Sequence, residues 1–236
     1  MDTFTLTAQG PFALASSITF LEGFTPASYD GTSDRALELA FPVEGDWQSV
    51  GVRVRAHPHG VTCEILSPQE PSRELSDAVR VQVTRILSLD VDGSGFPGVG
   101  ERDEVVAGLQ RLYPSLRPVC FYSPCEAAAW AIIGHRIRMR QAAAIKARMA
   151  EQFGEPVSFD GHLVHAFPSP HRLAELEDFP GLTGRKQADE LGEGGRGCGV
   201  RAVDRAPGRL LADCRPHRPW TSRTWPPGCS RWCCPD

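Results

Sequence analysis

The fold is decided by residues 123–142, which read SPCEAAAWAIIGHRIRMRQA. The stretch opens with Ser123, a proline and, three residues after the serine, Glu126, which is the pattern of a capped helix N-terminus. The apolar run that follows predicts a helix that is interrupted near Gly134. A second helix is predicted over 138–153. A histidine and three arginines lie at the break, so the stretch places a basic turn at a helix junction.

Two interpretations of this basic turn are open on the residues alone. The first is an ordinary solvated helix start, because charged side chains usually face water. The second is a DNA-facing element, because phosphate affinity rests on lysine and arginine. Lys146 and Arg148 continue the basic character into the second helix.

Upstream of this stretch, the chain predicts a small antiparallel sheet. Three segments alternate apolar and polar residues with a period of two, which indicates strands with one buried and one solvated face. Their apolar positions are Leu37, Leu39 and Phe41, then Val50, Val52 and Val54, then Val61, Cys63 and Ile65. A strand over 3–7 and helices over 12–22 and 74–88 complete a β-α-β-β-β-α unit.

The pattern turns helical after this unit, over 102–113 and again from Ser169. The predicted fold class is therefore α+β: a small antiparallel β-sheet domain with helices, followed by an incomplete all-α domain. We assign residues 1–90 to the N-terminal β-rich domain, 91–191 to the partial helical domain and 192–236 to an irregular tail.

The tail differs in composition from everything before it. It is rich in Arg, Pro, Trp and Cys and shows neither a helical nor a strand period. A flexible linker would be polar and poor in tryptophan. The composition is typical of GC-rich DNA translated in the wrong frame. We therefore hypothesise a frame change between about residues 186 and 199.

The net charge of −4 hides an asymmetry between the two parts of the chain. Residues 191–236 hold 8 arginines and 4 acidic residues, which leaves 17 basic and 25 acidic residues of the chain's 25 and 29 in residues 1–190. An acidic body counts against general nucleic-acid binding, so a DNA contact would have to be a local basic stripe. The N-terminus lacks the pattern of a secretion signal, and no apolar stretch approaches the roughly 18 residues of a membrane span, so we expect a cytoplasmic protein.

Two metal motifs are weighed and not adopted. The segment from Asp90 to Glu101 matches a calcium loop, but an interdomain turn explains it as well. Cys214, His217, Cys229 and Cys233 could form a zinc site, but chance clustering in an out-of-frame tail explains them as well. No metal and no cofactor are predicted.

From Ser123 to about residue 191 the chain resembles the DNA-3-methyladenine glycosylase II family of the helix-hairpin-helix DNA glycosylases. The matching pieces, in chain order, are EAAAWAIIGHRI (126–137), AAAI (142–145), FGE (153–155), FPSPHRLA (167–174) and GLTGRK (181–186). The N-terminal unit is similar to the small β-rich domain of that family, so the resemblance extends over about residues 3–191.

The resemblance implies a base-excision repair enzyme. Such an enzyme flips a damaged purine, such as 3-methyladenine, out of double-stranded DNA and hydrolyses its N-glycosylic bond with water and one carboxylate. On this basis we assign His135, Arg136, Arg138 and Lys146 to a DNA-facing surface. Trp130 is a candidate for the lining of the base pocket, and a role in the core explains it as well. The family usually has Gly-Gln and an apolar residue at the helix break. His135 and Arg136 occupy the last two of those positions here.

The resemblance stops before the family's phosphate-binding hairpin and catalytic aspartate. Asp204 and Asp213 lie in segments without that context, so no catalytic residue is assigned and the chain as written is expected to be inactive. Two alternatives stay open. One is a non-catalytic DNA-damage binder with a zinc-binding tail. The other is a non-functional fragment, which should aggregate because a helical half without its closing helices exposes apolar surface.

Overall fold

The computed structural model describes residues 2–27, 29, 36–67 and 70–176, and its N-terminal part is built on one antiparallel sheet. The four strands are β1 (Asp2–Thr7), β2 (Ala36–Pro42), β3 (Ser49–His57) and β4 (Gly60–Leu66). They lie in the order β1-β4-β3-β2. A two-residue turn joins β3 to β4, since His57 pairs with Gly60. The predicted strands and their antiparallel arrangement are confirmed.

The period-two apolar positions of the sheet form the main core. Helices α1 (Leu14–Gly23) and α2 (Arg73–Ile86) cover it, and a short 3-10 helix (Thr25–Ala27) follows α1. Leu37, Val52 and Val83 are fully buried in this core. The alternation predicts this result, because only one face of each strand can meet the helices.

The C-terminal part of the described chain is mainly helical. Its helices are α3 (Pro97–Gly100), α4 (Glu104–Leu112), α5 (Pro124–Gly134), α6 (Met139–Phe153) and α7 (Pro170–Ala174). The Ser123 hydroxyl accepts a hydrogen bond from the Glu126 amide (3.1 Å), and the Glu126 carboxylate accepts one from the Tyr122 amide (3.0 Å). The helix start predicted at Ser123 is confirmed, and the chain combines a small antiparallel sheet with helices as an α+β fold.

A hairpin between α6 and α7 was not predicted. Strands β5 (Pro156–Phe159) and β6 (His162–His165) are joined by Asp160 and Gly161, both with positive φ (44° and 96°). An Asp-Gly pair between short apolar segments is a strong hairpin signal, and it was overlooked because each strand has only four residues.

The hairpin packs on the β2–β3 end of the sheet. Phe159 is fully buried beside Ala40, and a β-carbon on Gly51 would overlap Val157 and Phe159, so the close approach requires glycine there. The Arg53 guanidinium donates to Glu38 (3.1 Å) and to Asp160 (2.7 Å). The hairpin is therefore fixed to the sheet by both packing and charge.

All described residues belong to one compact unit, Met1–Val203. The boundary at residue 90 stays a prediction. The predictions for the tail 192–236, for the zinc ligands Cys214, His217, Cys229 and Cys233, and for Asp204 and Asp213 lie outside the described residues. No helix in the described ranges is both long and apolar enough to cross a membrane.

Candidate nucleic-acid interface

The structure brings His135, Arg136 and Arg138 together on the exposed turn between α5 and α6. His135 ends α5 with extended backbone (φ −60°, ψ 120°), and Arg136 adopts a left-handed conformation with φ 57°. A non-glycine residue in that conformation carries about 1 kcal/mol or more of strain. The backbone of the turn is therefore mildly strained at Arg136.

The N-terminus of α6 adds a positive field to these side chains. Arg138 occupies the N-cap position without a side-chain cap hydrogen bond, and the first turn contains no acidic residue. Helices α2 and α5, in contrast, both have a serine cap and a glutamate in the first turn. The first amides of a helix carry about half a positive charge when no side chain neutralises them. Uncapped amides beside exposed arginines can bind an anion such as a phosphate.

Arg140, the third arginine of the basic run, is not among the residues assigned to the DNA-facing surface from the sequence. It lies in the first turn of α6 and is exposed. Within the described part of the chain, Arg136, Arg138 and Arg140 form no ion pair with an acidic side chain. The three arginines occupy every second position of the chain. This regular spacing is the sequence signal by which Arg140 could have been assigned to the same surface.

Lys146 lies apart from this turn, in the interior. Its ammonium contacts the Glu126 carboxylate at 2.6 Å, and the two side chains are only 11% and 5% exposed. It also lies over the rings of Phe121 (6.0 Å) and Phe167 (5.6 Å). The predicted role of Lys146 at a DNA surface is not supported by this position. It lies on the inner face of α6 with Ile145 and Met149. The basic run in the sequence does not predict this position, because it depends on how the helices pack.

Trp130, predicted to line a base pocket, stands in a row of partly exposed aromatic rings. Its ring lies 6.3 Å from Phe121, which lies 6.5 Å from Phe24, which in turn stacks on Phe20 at 5.1 Å. The row links α1 of the sheet part to α5, one turn before the basic turn. Partly exposed aromatic rings offer faces on which a planar base can stack.

A cleft of about 340 Å³ opens behind this row, between β2, α6 and β6. Glu38 and Glu126 line it, and each is paired with a base: Glu38 with Arg53 and His162 (2.9 Å), Glu126 with Lys146. Burial raises the pKa of Tyr29 and, beside Glu126, that of Tyr122. Both phenols therefore stay neutral and add no charge to the cleft.

The loop considered as a calcium site is organised by an arginine. The Arg117 guanidinium donates to the carbonyls of Ser88 (2.9 Å), Val91 (2.8 Å) and Gln9, and Asp92 accepts from the Ser94 amide. Hydrogen bonds from the Ser94 hydroxyl and from the Ser94 amide lower the pKa of Asp92. Within the described ranges, no three His, Cys, Asp or Glu side chains are grouped so that they could hold a metal ion.

The fold is that of a DNA glycosylase of known structure. The chain superposes on the 3-methyladenine DNA glycosylase from Archaeoglobus fulgidus with a TM-score of 0.66 at 18% identity, over 83% of this chain and 67% of that one. The 8-oxoguanine glycosylase/lyase of Clostridium acetobutylicum, solved with DNA, matches at a TM-score of 0.44 and 15% identity over 86% of this chain and 65% of that one, a likeness too low to argue from.

In sequence, the chain is similar to the DNA-3-methyladenine glycosylase of Bacillus subtilis (strain 168). The two are 27% identical over 109 residues, which is 44% of this chain and 36% of the relative. The matched part thus spans about a third of that relative's length. No family model matches the chain. The resemblance predicted from residues 123–191 is confirmed. The relative found by sequence is a DNA-3-methyladenine glycosylase, and the chain shares the fold of another.

Proposed function

We propose that this chain descends from a DNA base-excision repair glycosylase and binds double-stranded DNA that contains damaged bases. The observation that carries the proposal is the α5–α6 turn, where exposed Arg136 and Arg138 flank an uncapped helix N-terminus without an acidic neighbour. Arginines and free amides at one point give both charge and directed donors for a backbone phosphate. The glycosylase fold supports the same assignment.

The aromatic row gives the proposal its substrate class. Trp130 lies on the last turns of α5, directly before the basic turn, and its ring is 6.3 Å from that of Phe121. An alkylated purine such as 3-methyladenine carries a positive charge, and cation–π stacking favours it over a normal base. We therefore propose alkylated purines as the lesions recognised.

We further propose that the chain as written is catalytically inactive because its helical domain is incomplete. Glu38 and Glu126 are neutralised by basic partners, so neither is available to stabilise a cationic sugar. Within residues 2–176 as far as the structure describes them, no element covers the apolar face of α4. A frame change between residues 186 and 199 would account for both features.

DNA binding is tested by fluorescence anisotropy with a labelled duplex that contains a positively charged alkylated purine such as 7-methylguanine, or an abasic-site analogue, against the undamaged duplex. Arg136→Ala and Arg138→Ala should each weaken binding to all duplexes and reduce the salt slope by about 1. Arg73→Ala is the matched control, since its side chain is 92% exposed on α2. Equal losses in the control and in the turn variants would refute the assigned surface.

Base release is measured separately, on methylated DNA, by chromatography of the freed bases. Binding that favours damaged DNA without release supports an inactive descendant. Release of 3-methyladenine overturns the inactivity, and aggregation without DNA binding supports the non-functional fragment. Resequencing the coding DNA across residues 180–236 tests the frame change directly. Another frame that encodes a helix, a Pro-Gly hairpin and an aspartate supports it, and the lack of one rejects it.

A further inference from the structure

The aromatic row and the buried ion pair of Glu126 and Lys146 meet at Phe121. The Lys146 ammonium lies over the Phe121 ring, 6.0 Å from its centroid, and the Trp130 ring lies 6.3 Å from the same ring. In the described part of the chain, no lysine or arginine lies over the other three rings of the row. Phe121 is therefore the ring of the row whose π-system is already polarised by a charge of the protein.

A small cavity brings the ion pair and the rings to one space. Its volume is about 20 Å³, and its lining includes Phe24, Phe121, Glu126 and Lys146. A cavity of this size has room for about one water molecule. The Lys146 charge therefore acts on the rings over a short path that bulk water does not screen.

Glu126 decides the net charge on this side of the row. Its carboxylate contacts the Lys146 ammonium at 2.6 Å and accepts a hydrogen bond from the Tyr122 amide at 3.0 Å. The Glu126 and Lys146 side chains are only 5% and 11% exposed, so solvent does little to neutralise either charge. With both present the net charge beside Phe121 is zero. Loss of the carboxylate leaves a positive charge there, and loss of the ammonium leaves a negative one.

A net charge at this place distinguishes damaged bases by their own charge. A cationic alkylated purine is attracted to the face of an aromatic ring, and a second cation at the same ring opposes that attraction. A base stacked on the other face of Phe121 lies roughly 9 Å from the Lys146 nitrogen, where an unbalanced charge in a partly buried site changes affinity on the order of tenfold. A neutral damaged base is affected far less, because it carries no net charge.

We propose that the ion pair of Glu126 and Lys146 sets the charge selectivity of the aromatic row, and that Glu126 allows cationic damaged bases to stack there by neutralising Lys146. This inference rests on the proposed binding of damaged DNA and adds the residues that determine which lesions are accepted. Glu126 acts through Lys146, so it is a positioning residue.

The test compares the affinity of the full-length protein for two damaged duplexes by fluorescence anisotropy. One duplex contains cationic 7-methylguanine and the other contains neutral 1,N6-ethenoadenine. The selectivity is the Kd for the ethenoadenine duplex divided by the Kd for the methylguanine duplex. Glu126→Gln should lower it on the order of tenfold, and Lys146→Met should raise it by a similar factor. The double variant, which again has no net charge at this place, should return to the wild-type selectivity.

The opposite signs of the two shifts separate this role from a structural one. A packing defect at either residue would weaken binding to both duplexes alike and would persist in the double variant. Asp77→Asn, which breaks the exposed ion pair with Arg73 on α2, is the matched control and should leave the selectivity unchanged. Circular dichroism shows which variants are folded. If Glu126→Gln does not fold, the rise in Lys146→Met and its reversal in the double variant decide the question.

The outcomes also separate this inference from the proposed function. Selectivity that shifts in the same direction in both single variants, or in neither, overturns the inference while damaged DNA is still preferred over undamaged DNA. A wild-type protein that binds damaged and undamaged duplexes equally overturns the proposed function, and the inference with it.

Discussion

Helices α2 and α4 have similar apolar patterns and opposite surroundings. Val79, Val83 and Ile86 of α2 are completely buried against the sheet, whereas Val105 and Leu112 of α4 are mostly exposed. Both helices have an acidic or hydroxyl N-cap that accepts amide hydrogen bonds. The pattern and the cap thus produce the helix in both cases, but the partner comes only from the rest of the molecule.

The contrast distinguishes two parts of the protein by how far their apolar residues are buried within the described chain. The sheet, α1 and α2 supply most of the main core, to which Leu89 and Val119 from the following segment also belong. The helices that follow share a smaller core around Ile133 and Met149, and α4 is outside it. We therefore expect substitutions in the sheet part to lower the free energy of unfolding most. Contacts with other molecules are expected in the helical part instead.

The largest expected effect is a loss of unfolding free energy, and it distinguishes a buried ion pair from an exposed one. Glu126→Ala leaves Lys146 buried without its partner and should cost about 3–5 kcal/mol of unfolding free energy. The exposed pair of Arg73 and Asp77, at 92% and 68% exposure, is the control, and Asp77→Ala should cost below about 1 kcal/mol. Urea denaturation measures both. Equal losses would show that Glu126 and Lys146 are not held together as described.

The next prediction compares how much unfolding free energy is lost when an apolar side chain is truncated in α2 and in α4. Ile86→Ala in α2 removes a fully buried side chain and should cost about 2–5 kcal/mol. Leu112→Ala in α4 should change the monomer by about 0.5 kcal/mol or less, because the side chain is 68% exposed. Denaturation at low protein concentration avoids any contribution of association. A large loss at Leu112 would mean that another part of the chain covers α4.

A smaller effect compares the two helix starts at the basic turn. Ser123→Ala removes the α5 cap and should cost about 1 kcal/mol, whereas Arg138→Ala at the start of α6 should leave stability unchanged. The two variants should behave in the opposite way in DNA binding, where only Arg138→Ala weakens affinity. Thermal unfolding and anisotropy on the same samples check this. A stability loss at Arg138 would indicate a structural role instead.

The last effect is a pH dependence that comes from the sheet core and shows only at alkaline pH. Burial raises the pKa of Cys63 from 9.0 to about 12, with Arg80 acting weakly in the other direction. The folded state therefore keeps a proton that the unfolded state releases, so stability is full below about pH 9 and declines as the pH rises towards 12. Cys63→Val should flatten this decline in denaturation curves at alkaline pH. The exposed Cys120, changed to Val, should leave it as it is.

The sequence by itself determined the local structure of this protein. Period-two alternation specified β2, β3 and β4, and the Ser123 cap specified the start of α5, because such signals act between neighbours in the chain. The arginines of the basic turn were visible in the same way, since charged side chains in a turn between two helices usually face solvent. The Asp160-Gly161 hairpin was also encoded locally and was overlooked.

The tertiary structure alone decided which of these signals meet. Lys146 and Arg138 look alike in a basic run, yet one is buried against Glu126, twenty residues away, and the other faces solvent. The ring contacts of Phe121 with Phe24 and with Trp130 likewise join segments about a hundred residues apart. Burial and pairing depend on how whole elements pack, and packing is a property of the complete set of contacts that no local pattern contains.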